Sequence, residues 1–421
     1  MQNQKKNHMG SRKEPIKNPI KELIHLLVSP DETTIHRVRG GVDKPFLILV
    51  LILLCLGSIA VATSGYVYAR ERAVFGYDSF YFIKKQIVWA ALGVAALLGM
   101  SIVDYGFLKK ATLPIAGVAV FFLLLVFVPG IGVSANGARR WIDIGIQFQP
   151  SEIAKLALIL IMGLYISKVP GKMKTFKYGV LFPAVLVMLF CGLVVIEKHM
   201  SATIIIFLLG AAMITIGGVN LKWVALFGGL GGGAAAYIIL FTNYTKARID
   251  AWRHPELHLQ DGSYQPYESL LAIGSGGFFG TGLTGSIQKY MWLPEPYNDF
   301  IFAIWAEELG FVGAAALVVI FVLLAWRGFV IASKAPDIYS SMVVTGLTLK
   351  VTIQAFLNIA VVTSLIPTTG IALPFFSYGG TALIMQLAEM GIILSISRYS
   401  SGEKREIKLS QNTSERIAYQ K

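Results

Sequence analysis

Charge is scarce in this chain. Asp, Glu, Lys and Arg make up 14% of its 421 residues, where a soluble protein carries about a quarter. That shortage excludes a water-facing surface over most of the length. Cysteine is scarcer still: Cys55 and Cys191 are the only two. Both fall inside apolar segments without metal-ligand spacing, so they read as small hydrophobes rather than as a disulfide framework or a thiolate site. No Walker lysine motif occurs, which argues against an ATP-driven pump. The polar tail before Phe46 does not read as a cleavable signal peptide. Period-two alternation of the membrane-barrel kind is missing, as are internal repeats beyond generic hydropathy, a soluble domain, and low-complexity segments outside the charged tails.

Long apolar runs take their place, recurring from Phe46 to about Ser397. Each is near the roughly 20 residues a helix needs to cross the hydrocarbon core. The fold class is therefore all-α, a polytopic membrane protein with about ten transmembrane helices. The expected spans are Phe46–Gly65, Tyr81–Val103, Ala111–Val128, Glu152–Ser167, Tyr178–Ile196, Ala202–Gly218, Lys222–Phe241, Phe300–Trp326, Ser341–Ile366 and Tyr378–Ile396. An even number puts both termini on one side. Basic residues exceed acidic ones by 37 to 24, a formal +13, and collect in the N-terminal tail and in alternate loops with Lys109, Lys168, Lys222, Arg327 and Lys334. That distribution is the positive-inside bias rather than a nucleic-acid signature, and it makes both termini cytoplasmic. The expected organisation is a basic cytoplasmic tail over 1–45 without fixed structure, a single ten-helix domain over 46–399, and a cytoplasmic tail over 400–421. A large outer loop, 243–299, lies between spans seven and eight; loops that long are usually functional.

The remaining charges on the outer side single themselves out. Asp299 follows Tyr297-Asn298 and directly precedes the apolar FIFAIW. A carboxylate at a membrane rim is partly desolvated, so its pKa should rise and it can serve as a general base. Glu295 sits between two prolines just before it. Glu307 follows eight residues after Asp299 on nearly the same helix face; for Glu307 or Glu308 a structural bond to a neighbouring helix is the plainer reading. Glu152 opens a helix after Pro150-Ser151, where the helix dipole favours an acid. Lys155, three residues on, shares its face; the pair either stabilises the bend or helps hold an anion. Arg139-Arg140-Trp141 offers planar forks for phosphate oxygens or an interfacial anchor. Lys350, well inside the ninth span, either snorkels to the cytoplasm or meets a buried carboxylate. The glycines from Gly274 to Gly285 lack the strand-turn-helix setting of a nucleotide loop and signal close backbone packing or a bend. Pro367 and Pro374 bracket a short loop that suits cavity lining.

Four separated segments, GARRWIDIGIQFQPSEIAK, AIGSGGFFGTGL, LPEPYNDFIFAIWAEELGFVG and IPTTGIALPFFSYGG, resemble in order the shape, elongation, division and sporulation (SEDS) family, over about Asp43 to Arg398. LPEP-x-NDFIFA and the loop RIDAWRHPELHLQDGSYQPYESLLAIGSGG are more similar to the FtsW and SpoVE branch than to RodA. The resemblance implies a ten-span peptidoglycan glycosyltransferase of the bacterial cell membrane that polymerises lipid II, with septal cell-wall synthesis in cell division as the expected setting. Sporulation- or elongation-specific polymerisation are its variants. It carries the family's essential aspartate onto Asp299, its glutamate–lysine pair onto Glu152 and Lys155, and its motif arginine and tryptophan onto Arg140 and Trp141. It implies lipid II and undecaprenyl diphosphate-linked glycan as substrates, a class B penicillin-binding protein and other divisome membrane proteins as partners, and no nucleic acid. The chain departs from the family at Lys198-His199-Met200-Ser201-Ala202-Thr203, where many relatives have Pro-Asp followed by Gly-Thr, so His199 is an open candidate; Glu268 stands where glutamine is common.

The chemistry expected is one inverting displacement. Asp299 takes the proton of an acceptor sugar hydroxyl while Arg140 and Lys155 stabilise the leaving diphosphate or hold the acceptor. No cofactor is evident and no metal cage is legible, although a divalent cation, Mg or Mn, can share that role. Two rival readings stand beside the enzyme. A lipid II flippase would need charged groups along the whole crossing, whereas these cluster at the outer face; a non-catalytic scaffold would leave the outer carboxylates unexplained.

Overall fold

The computed structural model describes residues 19–28, 39–135, 138–143, 145, 147–226, 229, 250, 252–253 and 263–418; for residues 19, 20, 134, 135, 138 and 400–418 it describes the backbone alone. The chain divides into two compact units, Met1–Ile35 and His36–Lys421. The first contains one ten-residue helix, α1 (Pro19–Val28).

The second unit is helical. Its first helices are α2 (Lys44–Arg70), α3 (Tyr81–Ile102) and α4 (Tyr105–Leu125). A three-stranded antiparallel sheet follows, β1 (Gly132–Ala135), β2 (Ala138–Asp143) and β3 (Gln147–Phe148), in the order β1-β2-β3. Then come α5 (Pro150–Lys168), α6 (Phe182–Ile196, entered through a π-helical turn at Lys177–Leu181), α7 (Met200–Ile216) and the short α8 (Tyr264–Gly276). The last three are α9 (Ile301–Ser333), α10 (Ile338–Val362) and α11 (Gly380–Ala418). Among the described residues, eight helices are long and apolar enough to cross a membrane, and α7 is a shorter apolar helix. Together they occupy nine of the ten expected spans. The other, Lys222–Phe241, lies outside the described residues beyond 222–226 and 229.

Local chemistry sets the helix starts. Asp43 caps α2 by accepting from the Phe46 N–H, Asp104 caps α4 at Gly106, and Asp337 with Ser340 forms a reciprocal capping box on α10. Asp43 also takes a bidentate pair from Arg327 on α9, at 2.9 and 2.7 Å. Close by in the chain, Arg39 bonds the Tyr399 hydroxyl and Asp104, and Gly40 donates to the Arg398 carbonyl. The start of α2 and the end of the last span therefore meet at one end of the bundle, as an even number of crossings requires.

Two segments read as unstructured tail are helical: α1, and the part of α11 beyond residue 399. Both carry runs free of proline and glycine in which a helix can form or continue.

One helix is broken on purpose. Inside α9, Gly310 has φ +65° and ψ −165°, a conformation open to glycine and strained for other residues. The break frees backbone groups that the segment Gly277–Gly282 satisfies. Thr281 and Gly282 donate to the carbonyls of Glu307 and Glu308, while Phe311 and Val312 donate to Gly277 and Phe278. The glycine run thus bends and packs closely against α9, as its composition suggested.

Candidate active site

A cavity of about 250 Å³ opens at the outer end of the bundle. Its walls come from β2, the start of α5, the turn before α7, the residues leading into α9, the middle of α10, the Gly370–Gly379 loop and the start of α11.

The Gly370–Gly379 loop is held by bonds to main-chain carbonyls. Asn358 on α10, fully buried, donates to the carbonyls of Asp299 and Ile371 at 2.7 and 2.6 Å. Gln354, one turn before it, donates to the Ala372 carbonyl. Ser377 donates to the Asn298 carbonyl and Tyr378 N–H to the Tyr297 carbonyl. These bonds fix the backbone of Asp299 and leave its carboxylate free to face the cavity, where a Cβ on Gly370 would stand 3.3 Å from Oδ2. Burial, with Glu295 adding to it and Arg140 opposing, pushes the Asp299 carboxyl up to about 6, the direction expected for an acid at the membrane rim.

A raised carboxyl is neutral below its shifted pKa, so its base form is lost as pH falls through about 6. Activity resting on Asp299 as a base should decline about tenfold per pH unit below that value. A pH profile of kcat/KM that is flat down to pH 4.5 would remove Asp299 from that role. Stability should move the other way: the folded state binds this proton more tightly, so this group's contribution is full below pH 3.8 and is lost as pH rises through about 6.

Arg140 reaches the cavity because β2 is bulged. Val133 pairs with Trp141 and Ser134 with Arg139, leaving Arg140 as the extra residue between them. A bulge re-aims side chains, and Arg140 and Trp141 both line the cavity. Arg140 donates to the Lys198 carbonyl at 3.0 Å, while its buried Nε has no partner. Arg139 is exposed and outside the wall, a correction to the expectation that both arginines would serve the site.

His199, in the turn that departs from the family pattern, does line the cavity, with Gln149 Nε2 3.3 Å from its ring. Burial, reinforced by the positive charges of Arg140 and Lys155, lowers its pKa to about 3. It is a neutral hydrogen-bonding group. Glu197, two residues earlier, is buried with neither carboxylate oxygen partnered, and burial pushes it up to about 8.

Glu152 and Lys155 both stand in the wall, and their pairing is as the spacing indicated, with Nζ to Oε1 at 2.6 Å. The other oxygen of Glu152 meets Lys350 at 3.2 Å, and Lys350 is chelated by Glu389 of α11 at 2.6 and 2.8 Å. Lys350 does not snorkel. It lies behind the cavity wall as the thirteenth of the 25 residues of α10, so charge reaches deeper than the outer rim, contrary to the expected clustering.

The remaining acids lie outside the wall. Glu295, exposed and at φ +47°, accepts from Asn298 within its own turn. Glu307 accepts from the Ser286 hydroxyl and the Ile287 N–H, and Glu308 pairs with Lys289 at 2.8 Å. Neither glutamate bonds a neighbouring helix, as their plainer reading had it; both tie α9 to the segment Ser286–Lys289 of the loop that precedes it. Among the described residues, no group of three or more His, Cys, Asp or Glu side chains is placed to hold a metal ion.

Comparison with known proteins accords with this geometry. The family described as cell cycle protein, FtsW/RodA/SpoVE, matches residues 44–402. The chain is 37% identical to the probable peptidoglycan glycosyltransferase FtsW of Geobacter sp. (strain M18), over 86% of this chain and 98% of that protein. It is likewise 37% identical to stage V sporulation protein E of Bacillus subtilis (strain 168), over 85% and 97%. Among solved structures it resembles a chain from a study of how a peptidoglycan synthase complex coordinates polymerization and crosslinking, with a TM-score of 0.69, 25% identity, and coverage of 85% and 98%. It also resembles the rod shape determining protein RodA of Thermus thermophilus, with a TM-score of 0.63, 26% identity, and coverage of 85% and 97%. By matched length, by identity and by fold, the chain belongs to the FtsW/RodA/SpoVE family of multi-pass membrane proteins.

Proposed function

We propose that this protein is a peptidoglycan glycosyltransferase that polymerises lipid II at the outer face of the bacterial cytoplasmic membrane, with Asp299 as its general base. One observation carries the reading: a single outer cavity joins the half-desolvated carboxylate of Asp299 to the cations Arg140 and Lys155. Those are the two kinds of group that a displacement at a lipid-diphosphate carbon needs. Asp299 accepts the proton of the acceptor 4-hydroxyl as that oxygen attacks the donor's anomeric carbon. The bond to the diphosphate breaks on the opposite face, which inverts the centre. Arg140, with Nε unpartnered, and Lys155 face the charge that develops on the departing diphosphate. A divalent cation, if the substrate brought one, would add to the stabilisation of charge on the diphosphate that Arg140 and Lys155 supply.

An apolar groove of about 220 Å³ adjoins the cavity between Phe148, Ile153, Ile384 and Met385, sharing Gln149, Glu152 and Ala382 with it. It suits the first isoprene units of a lipid whose head group lies in the cavity. A class B penicillin-binding protein is the proposed partner, in keeping with the synthase complex to which the fold is similar. Equal identity to an FtsW and to a sporulation protein supports the chemistry without favouring a septal over a sporulation role.

The purified protein incubated with labelled lipid II, alone and with its penicillin-binding protein, should yield glycan ladders on a gel. Lipid II changing leaflets in liposomes with no polymer under any partner or cation condition would overturn the reading in favour of a flippase.

A further inference from the structure

Lys155 presents a difficulty for any anion in the cavity. Its ammonium is occupied by Glu152 at 2.6 Å, with Gln354 Oε1 at 3.4 Å. An arriving diphosphate that took Lys155 would leave Glu152 as an uncompensated carboxylate, and stripping a buried pair of one partner is strongly unfavourable. The structure supplies a second cation at the required place. Lys350 Nζ is 3.2 Å from Oε2 of Glu152, on the oxygen that Lys155 does not hold. Lys350, unlike Lys155, does not line the cavity, so it is no direct ligand for substrate. Glu389, fully buried, holds it from behind with both oxygens. Two carboxylates and two ammoniums thus balance when the cavity is empty, and of the two ammoniums only that of Lys155 lines it.

We propose that Lys350 is a reserve counter-ion for Glu152, held by Glu389, which frees Lys155 to bind the diphosphate of a lipid-linked substrate. Lys350 is the positioning residue, and Glu389 balances its charge while the cavity is empty: the Lys155 ammonium turns from Glu152 to the anion, Glu152 stays paired through Lys350, and no buried charge is left alone. The inference rests on the reading of the cavity as a lipid-diphosphate site and assigns that site's cation supply.

The test uses the full-length protein in lipid nanodiscs, with undecaprenyl diphosphate as probe and undecaprenol as the control lacking the anion. Native protein should prefer the diphosphate. The paired variant K350M/E389Q removes both charges together; it should melt near the native temperature yet bind the diphosphate about ten- to a hundredfold more weakly, the range of a lost charge-assisted contact. Adding E152Q, which removes the carboxylate needing a counter-ion, should recover most of that affinity. A merely structural role for Lys350 gives no such recovery. Should the paired variant fail to fold, Glu389→Gln alone leaves Lys350 undivided for Glu152 and should bind at least as tightly as native. Native affinity in folded K350M/E389Q, or weakened affinity in Glu389→Gln, overturns the counter-ion role while the cavity reading stands. No preference of native protein for the diphosphate overturns both.

Discussion

Asp299→Asn should leave the protein inserted and folded while lowering lipid II polymerisation by roughly 10²–10⁴-fold, the range for loss of a positioned general base. The substitution keeps the shape of the side chain, and the bonds that fix this residue run to its backbone: Asn358 Nδ2 meets the Asp299 carbonyl, and Ser377 meets the carbonyl before it. The fold therefore does not depend on the carboxylate. Replacing a buried acid by a neutral amide even removes a desolvation cost. What is lost is an oxygen able to take a proton, so the defect should fall on kcat rather than on lipid II binding. Single-turnover polymerisation on labelled lipid II, with melting temperature measured alongside, separates the two. Undiminished ladders from Asp299→Asn would sink the assignment of the base.

Lys289→Met should have the largest effect on stability. Lys289 and Glu308 are 1% and 2% exposed and paired at 2.8 Å. Removing the lysine leaves a buried carboxylate without its counter-ion, a loss of about 3–5 kcal/mol. The double variant K289M/E308L should regain most of that stability, because replacing a buried pair whole by apolar groups is often neutral. Neither residue lines the cavity, so whatever fraction folds should polymerise at the native rate. Thermal unfolding in detergent is the measurement, and a Lys289→Met protein as stable as native would show that the pair does not hold the loop against α9.

Asp299 also marks what was readable beforehand, whereas Lys289 was not singled out. Asp299 stood out because a carboxylate against an apolar run is costly wherever the fold puts it. Glu152 and Lys155 stood out because a spacing of three shares a helix face. The spans were legible because apolar length is a local property, although their ends were set by caps at Asp43, Asp104 and Asp337. Gln354 and Asn358, which hold the cavity loop from α10, were missed, yet they left a signal. Lys350, Gln354 and Asn358 recur every four residues and form one polar stripe along an apolar helix. Its partner Glu389, an acid in the middle of the last span, was equally visible and went unremarked. What no spacing rule reveals is which stripe faces which. That Lys350 meets Glu152, 198 positions away, depends on how α5 and α10 pack. Residue type alone did not separate Arg139 from Arg140, although the family resemblance pointed to Arg140, because the bulge that divides their tasks is a property of strand pairing.

The break in α9 bears on how this protein enters a membrane. A helix arriving in lipid normally brings its backbone bonds with it, but α9 brings a gap at Gly310 that residues 277–282 complete. Those residues are synthesised before the helix they complete. The donors for the Glu307 and Glu308 carbonyls therefore leave the ribosome first and must be held near the outer surface until α9 follows. Insertion of this span and folding of the loop before it become a single event during biogenesis, and the order of translation favours it.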